Sequence, residues 1–235
     1  MEIIAFIPAR SGSTRLKNKN ISTINKRPLI YWTVIKAIKS KIFNRIIFSS
    51  DSVNYYKILI YYLKKDNLDF SKIEFDNRSK KFSKTKSKIF DYIRDELIKK
   101  NKINRSDLIV QLLPTYPLRK IRTIKKIVEI AKKNKKNTFS VCKYDFHVSF
   151  AMEIKKNKWK ALFNKAPLIT GKTQSQTQKT YYHPNGVANC LWVKNLNKNI
   201  KSIYFKAIPV VVSRSESHDI DTKEDFEFIK LLFNV

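Results

Sequence analysis

Apolar positions along the chain fall into two alternating patterns. Short continuous apolar runs, each closed by small or polar residues, are separated by stretches with apolar positions three and four apart. The first run, "IIAFIP" (3–8), predicts a buried strand, followed by a loop over 9–20. "PLIYWTVIKAIKSK" (28–41) has helical spacing and places Pro28 at a favourable first helical position. "RIIFSSD" (45–51) predicts a strand ending in hydroxyls and a carboxylate, and "VNYYKILIYYLKK" predicts a helix whose tyrosines pack as core. Helical spacing returns from Lys86 onward in "SKIFDYIRDELIKK". "DLIVQLLPTYPLR" (107–119) predicts a buried strand broken by Pro114 and Pro117. "TIKKIVEIAKKNKK" is an amphipathic helix and "TFSVCKY" another strand. Strands that alternate with helices predict an α/β fold with a mostly parallel central sheet flanked by helices.

Between about residues 143 and 182 the pattern weakens. This stretch holds "HVSFAMEI", "KWKALF" and the polar "TGKTQSQTQKTYY", and reads as an inserted arm. "VANCLWV" and "IPVVVS" resume the strand signal. "DIDTKEDFEFIKLLF" is an acidic turn leading into a helix, with Thr222 as N-cap and Asp225 three positions on in a capping-box arrangement. No internal repeat is present. The reading is one domain over 1–235.

Composition changes this picture little. A chain of 235 residues with 43% hydrophobic positions can bury a sizeable core. The net charge of +30 raises the question of nucleic acid. The lysines run along the whole chain rather than clustering, which favours a solvated basic surface. Nucleic acid is therefore not the expected partner, although the charge would speed encounter with small anions. Cys142 and Cys190 form no disulfide framework or zinc spacing, and His147, His183 and His218 are scattered. No apolar run approaches the roughly twenty residues of a membrane span, so no membrane partner and a soluble, cytoplasmic protein are expected.

In an α/β sheet, ligands bind beyond the carboxyl ends of the strands. Polar clusters occur at four expected strand ends: 8–20, 49–52, 114–119 and 213–221. The first loop lacks GxxxxGK[ST] and is not a P-loop. It carries Arg10, Arg15, Lys17 and Lys19, with Gly12, one of only three glycines, expected to permit a tight turn and close approach of a phosphate. Asp219 and Asp221 are two apart, which on extended backbone puts both on one face.

The loop "IPARSGSTRLKNKNI" resembles the signature of the acylneuraminate cytidylyltransferases, also called CMP-sialic acid synthetases. "LIYWTVIKAI", "IIFSSDS", "LLPTYPLR", "YYHPNG" and "DIDTKEDFEFI" resemble that family's later motifs in the same order, across about residues 3–230. The resemblance implies a Rossmann-like nucleotidyltransferase fold. It also implies transfer of CMP from CTP to the anomeric hydroxyl of a sialic-acid-like nonulosonic acid, with release of pyrophosphate. By resemblance, Arg10, Ser13, Lys19 and Asn20 hold the triphosphate and ribose, while Arg78, Ser83 and Ser87 frame the cytosine. Asp219 and Asp221 match the acidic pair that binds Mg2+, so Arg10, Lys19, Asp219 and Asp221 form the expected catalytic set. Gln111, Thr115, His183 and Asn185 mark the sugar side. The resemblance further implies a homodimer in which the 143–182 arm approaches the partner's sugar site.

The chemistry suits this assignment. The attacked α-phosphate is crowded with negative charge, and a hard cation on carboxylates offsets it. Three positions depart from the family pattern. Leu113 stands where a Gln precedes Pro-Thr, with Gln111 two residues earlier on the same side of a strand. His183 stands where an Arg precedes Pro-Asn-Gly, and Thr14 replaces a loop Lys. A histidine is shorter than arginine and titrates near neutral pH, so it is a weaker partner for a sugar carboxylate. Two other readings are weighed. The 3-deoxy-manno-octulosonate cytidylyltransferases share "STRL", but their loop continues Lys-Pro rather than Lys19-Asn20, and that family lacks a Pro-Asn-Gly motif. A non-enzymatic nucleic-acid-binding protein accounts for the charge but not for the ordered strand-end motifs.

Overall fold

The computed structural model describes residues 1–84, 87–174, 179–196 and 202–233. The first apolar run forms β1 (Ile3–Pro8), and the chain then makes a tight hairpin from β2 (Thr23–Ile24) and β3 (Arg27–Pro28). The turn between them places Asn25 and Lys26 at positive φ, as a two-residue hairpin loop requires. Helix α1 (Leu29–Ser40), strand β4 (Arg45–Ser50), helix α2 (Val53–Lys65) and strand β5 (Ile73–Asn77) follow. A helical stretch then runs through α3 (Ile89–Tyr92), a π-helical turn (Ile93–Leu97) and α4 (Ile98–Lys100). Lys86, where helical spacing begins in the sequence, lies outside the described residues. Next come β6 (Leu108–Gln111), α5 (Ile121–Asn134) and β7 (Thr138–Lys143). The chain closes through β8 (Met152–Lys155), β9 (Lys158–Ala161), α6 (Pro167–Thr170), β10 (Tyr182–Trp192), β11 (Ile208–Val211) and α7 (Lys223–Phe233).

Seven strands form the central sheet in the order β11-β7-β10-β6-β1-β4-β5. The pairings β1–β4, β1–β6, β4–β5 and β7–β11 are parallel, and only β10 runs antiparallel to its neighbours β6 and β7. The mostly parallel sheet predicted from the alternation is therefore present. Strand order reverses at β1: the chain adds β4 and β5 on one side, then returns to place β6 on the other. The loops after β1 and β6 diverge at this point and leave a crevice.

The two faces of the sheet bury different helices. On one face, Ala5, Ile7, Phe48 and Val110 meet α1, α2 and α5 through Val34, Leu59 and Ile127. On the other, Ile4, Phe6, Ile47 and Ile109 meet Tyr92, Ile93 and Leu97. A separate cluster of Ile24, Leu29, Ile220, Phe226 and Ile229 packs α7 onto the β2–β3 hairpin. The capping box at the start of α7 is formed: Asp225 N–H donates to Thr222 Oγ1 at 3.1 Å, and the Asp225 carboxylate accepts from the Thr222 N–H at 2.7 Å.

Strand β5 went unrecognised in the sequence. The strand predicted over 107–119 stops at Gln111, because Pro114 and Pro117 cannot continue the ladder. Strand β10 begins five residues before "VANCLWV", and its register shifts between Pro184 and Asn189. Within the predicted arm, β8 and β9 form a hairpin standing almost wholly in solvent. Phe146, Trp159 and Phe163 are exposed there, and Phe150 packs against Phe146 with ring centroids 5.0 Å apart. Residues 175–178 of this arm lie outside the described residues.

Candidate active site

The crevice beside β1 is a cleft of about 320 Å³. Its lining includes Arg10, Ser13, Lys19, Asn20, Arg78, Ser87 and Thr115. Seven residues singled out in the sequence, from four separate segments, thus share one cavity.

The loop over 9–20 is held open by contacts beneath it. The Ser11 N–H and hydroxyl donate to Asp51 at 2.8 and 3.1 Å, pinning the loop to the end of β4. Asn20 is buried and donates to the Arg10 carbonyl at 2.8 Å, so it closes the loop from inside. Gly12 sits at the centre of a tight turn closed by the Ser13 N–H donating to the Ser11 carbonyl at 2.9 Å, but the turn does not demand a glycine. Its φ is not left-handed, and a Cβ there would meet nothing within 4 Å.

Arg78 reaches the cleft from the end of β5. It is 5% exposed and donates to the Ser49 carbonyl at 2.7 Å and the Ser49 hydroxyl at 3.2 Å. Burial lowers its pKa from the usual guanidinium value. Ser87 lines the cleft while its hydroxyl donates to the Lys81 carbonyl at 2.7 Å. The Ser83 hydroxyl donates to the Ser79 carbonyl at 3.1 Å, and Ser83 is not part of the lining. Phe82 and Lys84 line the cleft instead, two residues the sequence reading did not select.

The carboxylate pair is set by one apolar residue between its members. Ile220 is fully buried in the α7 cluster, so Asp219 and Asp221 both turn away from it. Lys19 spans from the first loop to this segment, donating to the Ile220 carbonyl at 2.6 Å and to Asp221 Oδ1 at 3.0 Å. Arg15 pairs with the other Asp221 oxygen at 3.0 Å. Burial raises the Asp219 carboxyl above its ordinary value. The Thr115 hydroxyl pulls it back down, and the charge of Asp221 adds to the rise. Asp219 Oδ1 is buried with no hydrogen-bond partner.

That orphaned oxygen is the test of a metal at this site. An unpaired buried carboxylate oxygen beside a second carboxylate fits a hard divalent cation. Among the described residues no group of three or more His, Cys, Asp or Glu side chains is placed to hold one. Phosphate oxygens and water would have to complete the coordination, as Mg2+ usually requires.

The residues expected on the sugar side are placed differently from one another. Thr115 lines the cleft, and its hydroxyl interacts with Asp219. Gln111 is 2% exposed inside the sheet, accepting from the Asn189 side-chain amide at 3.3 Å, and is not in the lining. Asn189 was missed in the sequence, and its Oδ1 is buried without a partner. Asn185 bridges rather than projects: its Oδ1 accepts from Ser140 at 2.5 Å and its Nδ2 donates to Ser217 at 3.1 Å. His183 packs on the Tyr144 ring at 4.8 Å and is also absent from the lining. Its Nδ1 lies 3.1 Å from the Pro184 carbonyl, which can only accept, so that nitrogen carries the proton. Its Nε2 lies 3.1 Å from the Cys142 Sγ. Gly186 behaves as expected. A Cβ there would come within 2.5 Å of the Tyr116 ring and closer still to Leu113.

Three further charged groups lie beneath the cleft. Arg119 and Glu216 are buried, and Lys36 donates to the Pro117 carbonyl. Burial, reinforced by the charge of Arg119, lowers the Lys36 ammonium to about 8. Lys36 and Glu216 carry no signal in the sequence, where each is one charge among many on a helix or in a polar loop.

An open α/β sheet with cationic loop, buried arginine and paired carboxylates gathered at its switch point defines a nucleotidyltransferase. The chain belongs to the cytidylyltransferase family, whose model, described as Cytidylyltransferase, matches residues 4–232. It is 29% identical over 238 residues to a CMP-N,N'-diacetyllegionaminic acid synthase of Legionella pneumophila, covering 100% of this chain and 97% of that protein. It is 27% identical over 242 residues to a pseudaminic acid cytidylyltransferase of Campylobacter jejuni, with the same coverage of 100% and 97%. Among solved structures, a CMP:2-keto-3-deoxy-manno-octonic acid synthetase complexed with CTP shares the fold. The TM-score is 0.68 at 14% identity, covering 100% of this chain and 99% of the other.

Proposed function

We propose that this cytidylyltransferase transfers CMP from CTP to the anomeric hydroxyl of a nonulosonic acid and releases pyrophosphate. One observation carries the reading: the 9–20 loop, Arg78 and the Asp219–Asp221 segment enclose one cleft, tied across it by Lys19. The two full-length relatives act, by their names, on legionaminic and pseudaminic acids, which favours that class of acceptor.

In this reading Arg10 and Lys19 neutralise the triphosphate, and Ser13 contributes a hydroxyl at the loop tip. Arg78, Phe82 and Ser87 form the wall that receives the base. The acceptor oxygen forms a bond to the α-phosphorus as the bond to the bridging oxygen of pyrophosphate breaks, and the hydroxyl proton leaves to solvent or a carboxylate. Asp219 and Asp221 would hold Mg2+, which supplies charge stabilisation at the α-phosphate and favours ionisation of the attacking hydroxyl. Lys19 then releases Asp221 and turns to phosphate oxygens. Gln111 and Asn189 on the sheet floor, and Asn185 behind the Gly186 turn, shape the acceptor end. His183, with both ring nitrogens engaged within the protein and no place in the cleft lining, acts there by packing.

The whole of 1–235 serves as one catalytic unit, cytoplasmic and homodimeric, with the 143–182 arm in the dimer contact. No helix among the described residues is long and apolar enough to cross a membrane.

The test is pyrophosphate release from CTP and Mg2+ with neuraminate, legionaminate, pseudaminate and 3-deoxy-manno-octulosonate offered separately. Turnover with a nine-carbon acid supports the reading. Turnover confined to the eight-carbon acid, or none with any acceptor, overturns it. Sedimentation of the same sample reports the dimer, and a monomer with full activity removes the arm from that role.

A further inference from the structure

Arg119 is fully buried in the loop between β6 and α5. A guanidinium in the interior is costly unless its donors are used, so its contacts identify its task. Its Nε donates to the Tyr116 carbonyl at 3.1 Å, and its Nη2 donates to the Leu113 carbonyl. Its Nη1 is buried with no partner. Both carbonyls belong to the turn that presents Thr115 and Tyr116. From that turn and the residue after it, contacts reach the segment carrying the aspartates and the helical turn before it. The Thr115 carbonyl accepts the Ile220 N–H at 3.0 Å. The Thr115 and Tyr116 hydroxyls lower the Asp219 carboxyl pKa against the rise that burial imposes. The Lys120 N–H donates to buried Glu216 at 2.9 Å.

We propose that Arg119 is a positioning residue for the transfer step. It clamps the 113–119 turn from inside, and through Thr115 and Tyr116 that turn fixes where Asp219 stands relative to Lys19. Arg119 touches neither nucleotide nor acceptor, because none of its surface reaches the cleft. A side chain that only filled the core would need no donors aimed at two carbonyls of one turn. The kinetic half of this proposal rests on the cytidylyl-transfer reading, whereas the structural half does not.

The test compares wild type, Arg119→Lys, Thr115→Val and the double variant. Amide hydrogen exchange, read without substrate, reports the turn directly. In Arg119→Lys the Ile220 amide should exchange about tenfold faster or more while the β1 amides keep wild-type protection. Steady-state rates should show kcat lowered by about tenfold or more with the KM for CTP within about twofold, since the 9–20 loop is untouched. The double variant should lose no more kcat than the worse single one, because both changes act through one contact chain. Wild-type exchange at Ile220 in a folded Arg119→Lys protein overturns the clamp. Faster exchange with unchanged kcat, or additive losses in the double variant, overturns its link to the reaction. An inactive wild type with the expected exchange pattern leaves the clamp standing and overturns the transfer reading.

Discussion

Asp219 and Asp221 are held as a pair because Ile220 between them is anchored in the α7 cluster. Asp221→Ala should lower kcat by about a thousandfold, several kcal/mol of barrier, while removing only a part-exposed side chain from the fold. Activity equal to wild type, or persisting in excess chelator, contradicts the carboxylate role. Lys36 offers a second measurement. Its folded pKa of about 8 lies below its unfolded value of about 10.4, so the unfolded chain binds more protons between these limits. The burial cost is therefore fully present below pH 8 and is relieved as pH rises toward 10. Relative to Lys36→Met, wild-type unfolding free energy should climb across that window by up to about 3 kcal/mol. A flat difference between the two proteins from pH 7 to 10 contradicts it. At this scale the sequence revealed the residues whose type is unusual for its composition: acids in a basic chain, and Gly186 among three glycines. It did not reveal the burial of Glu216 or Asn189, whose partners Lys120 and Gln111 are distant in the chain, nor that of Arg119, whose local partners are backbone carbonyls that the sequence does not mark. His183 shows the same limit, since its cross-strand partner Cys142 is invisible until the register is known.

Among elements, those with long apolar periods were legible and those fixed by pairing were not. β1, β4, α1, α2 and α5 lie where the spacing puts them, within a few residues at each end. β5 escaped because Glu74 and Asp76 interrupt a five-residue strand. Asp76 is buried there against Tyr92 and Lys100, a satisfaction that only the tertiary structure supplies. The antiparallel sense of β10 was likewise unreadable, since the loop before it encodes direction only through the fold. The bulge of β10 carries Gly186 against Leu113 and Tyr116, so this one position joins the sheet to the cleft turn. Gly186→Ala should destabilise the protein by about 1–3 kcal/mol by overpacking. It should also lower kcat, because the neighbours that must give way, Leu113 and Tyr116, both belong to the cleft turn. Chemical denaturation and steady-state kinetics check both, and an unchanged midpoint would mean that the turn yields freely.

For the whole molecule, the net charge of +30 describes the surface rather than the chemistry. The cations that line the cleft are few, and they lie where strand order reverses. That placement was legible from strand ends alone, because ligand sites in open α/β sheets follow topology. The course of the chain over 143–182 was not, since its β8–β9 hairpin stands almost wholly in solvent and follows no core pattern. The central claim is that the α-phosphorus of CTP moves to the acceptor. It is tested most directly by incubating the protein with Mg2+, a nonulosonic acid and CTP labelled at either the α- or the γ-phosphorus, then separating sugar nucleotide from pyrophosphate. The α-label is expected in the sugar nucleotide and the γ-label in pyrophosphate. The γ-label on the sugar, or the α-label in free CMP alone with every acceptor, would contradict it.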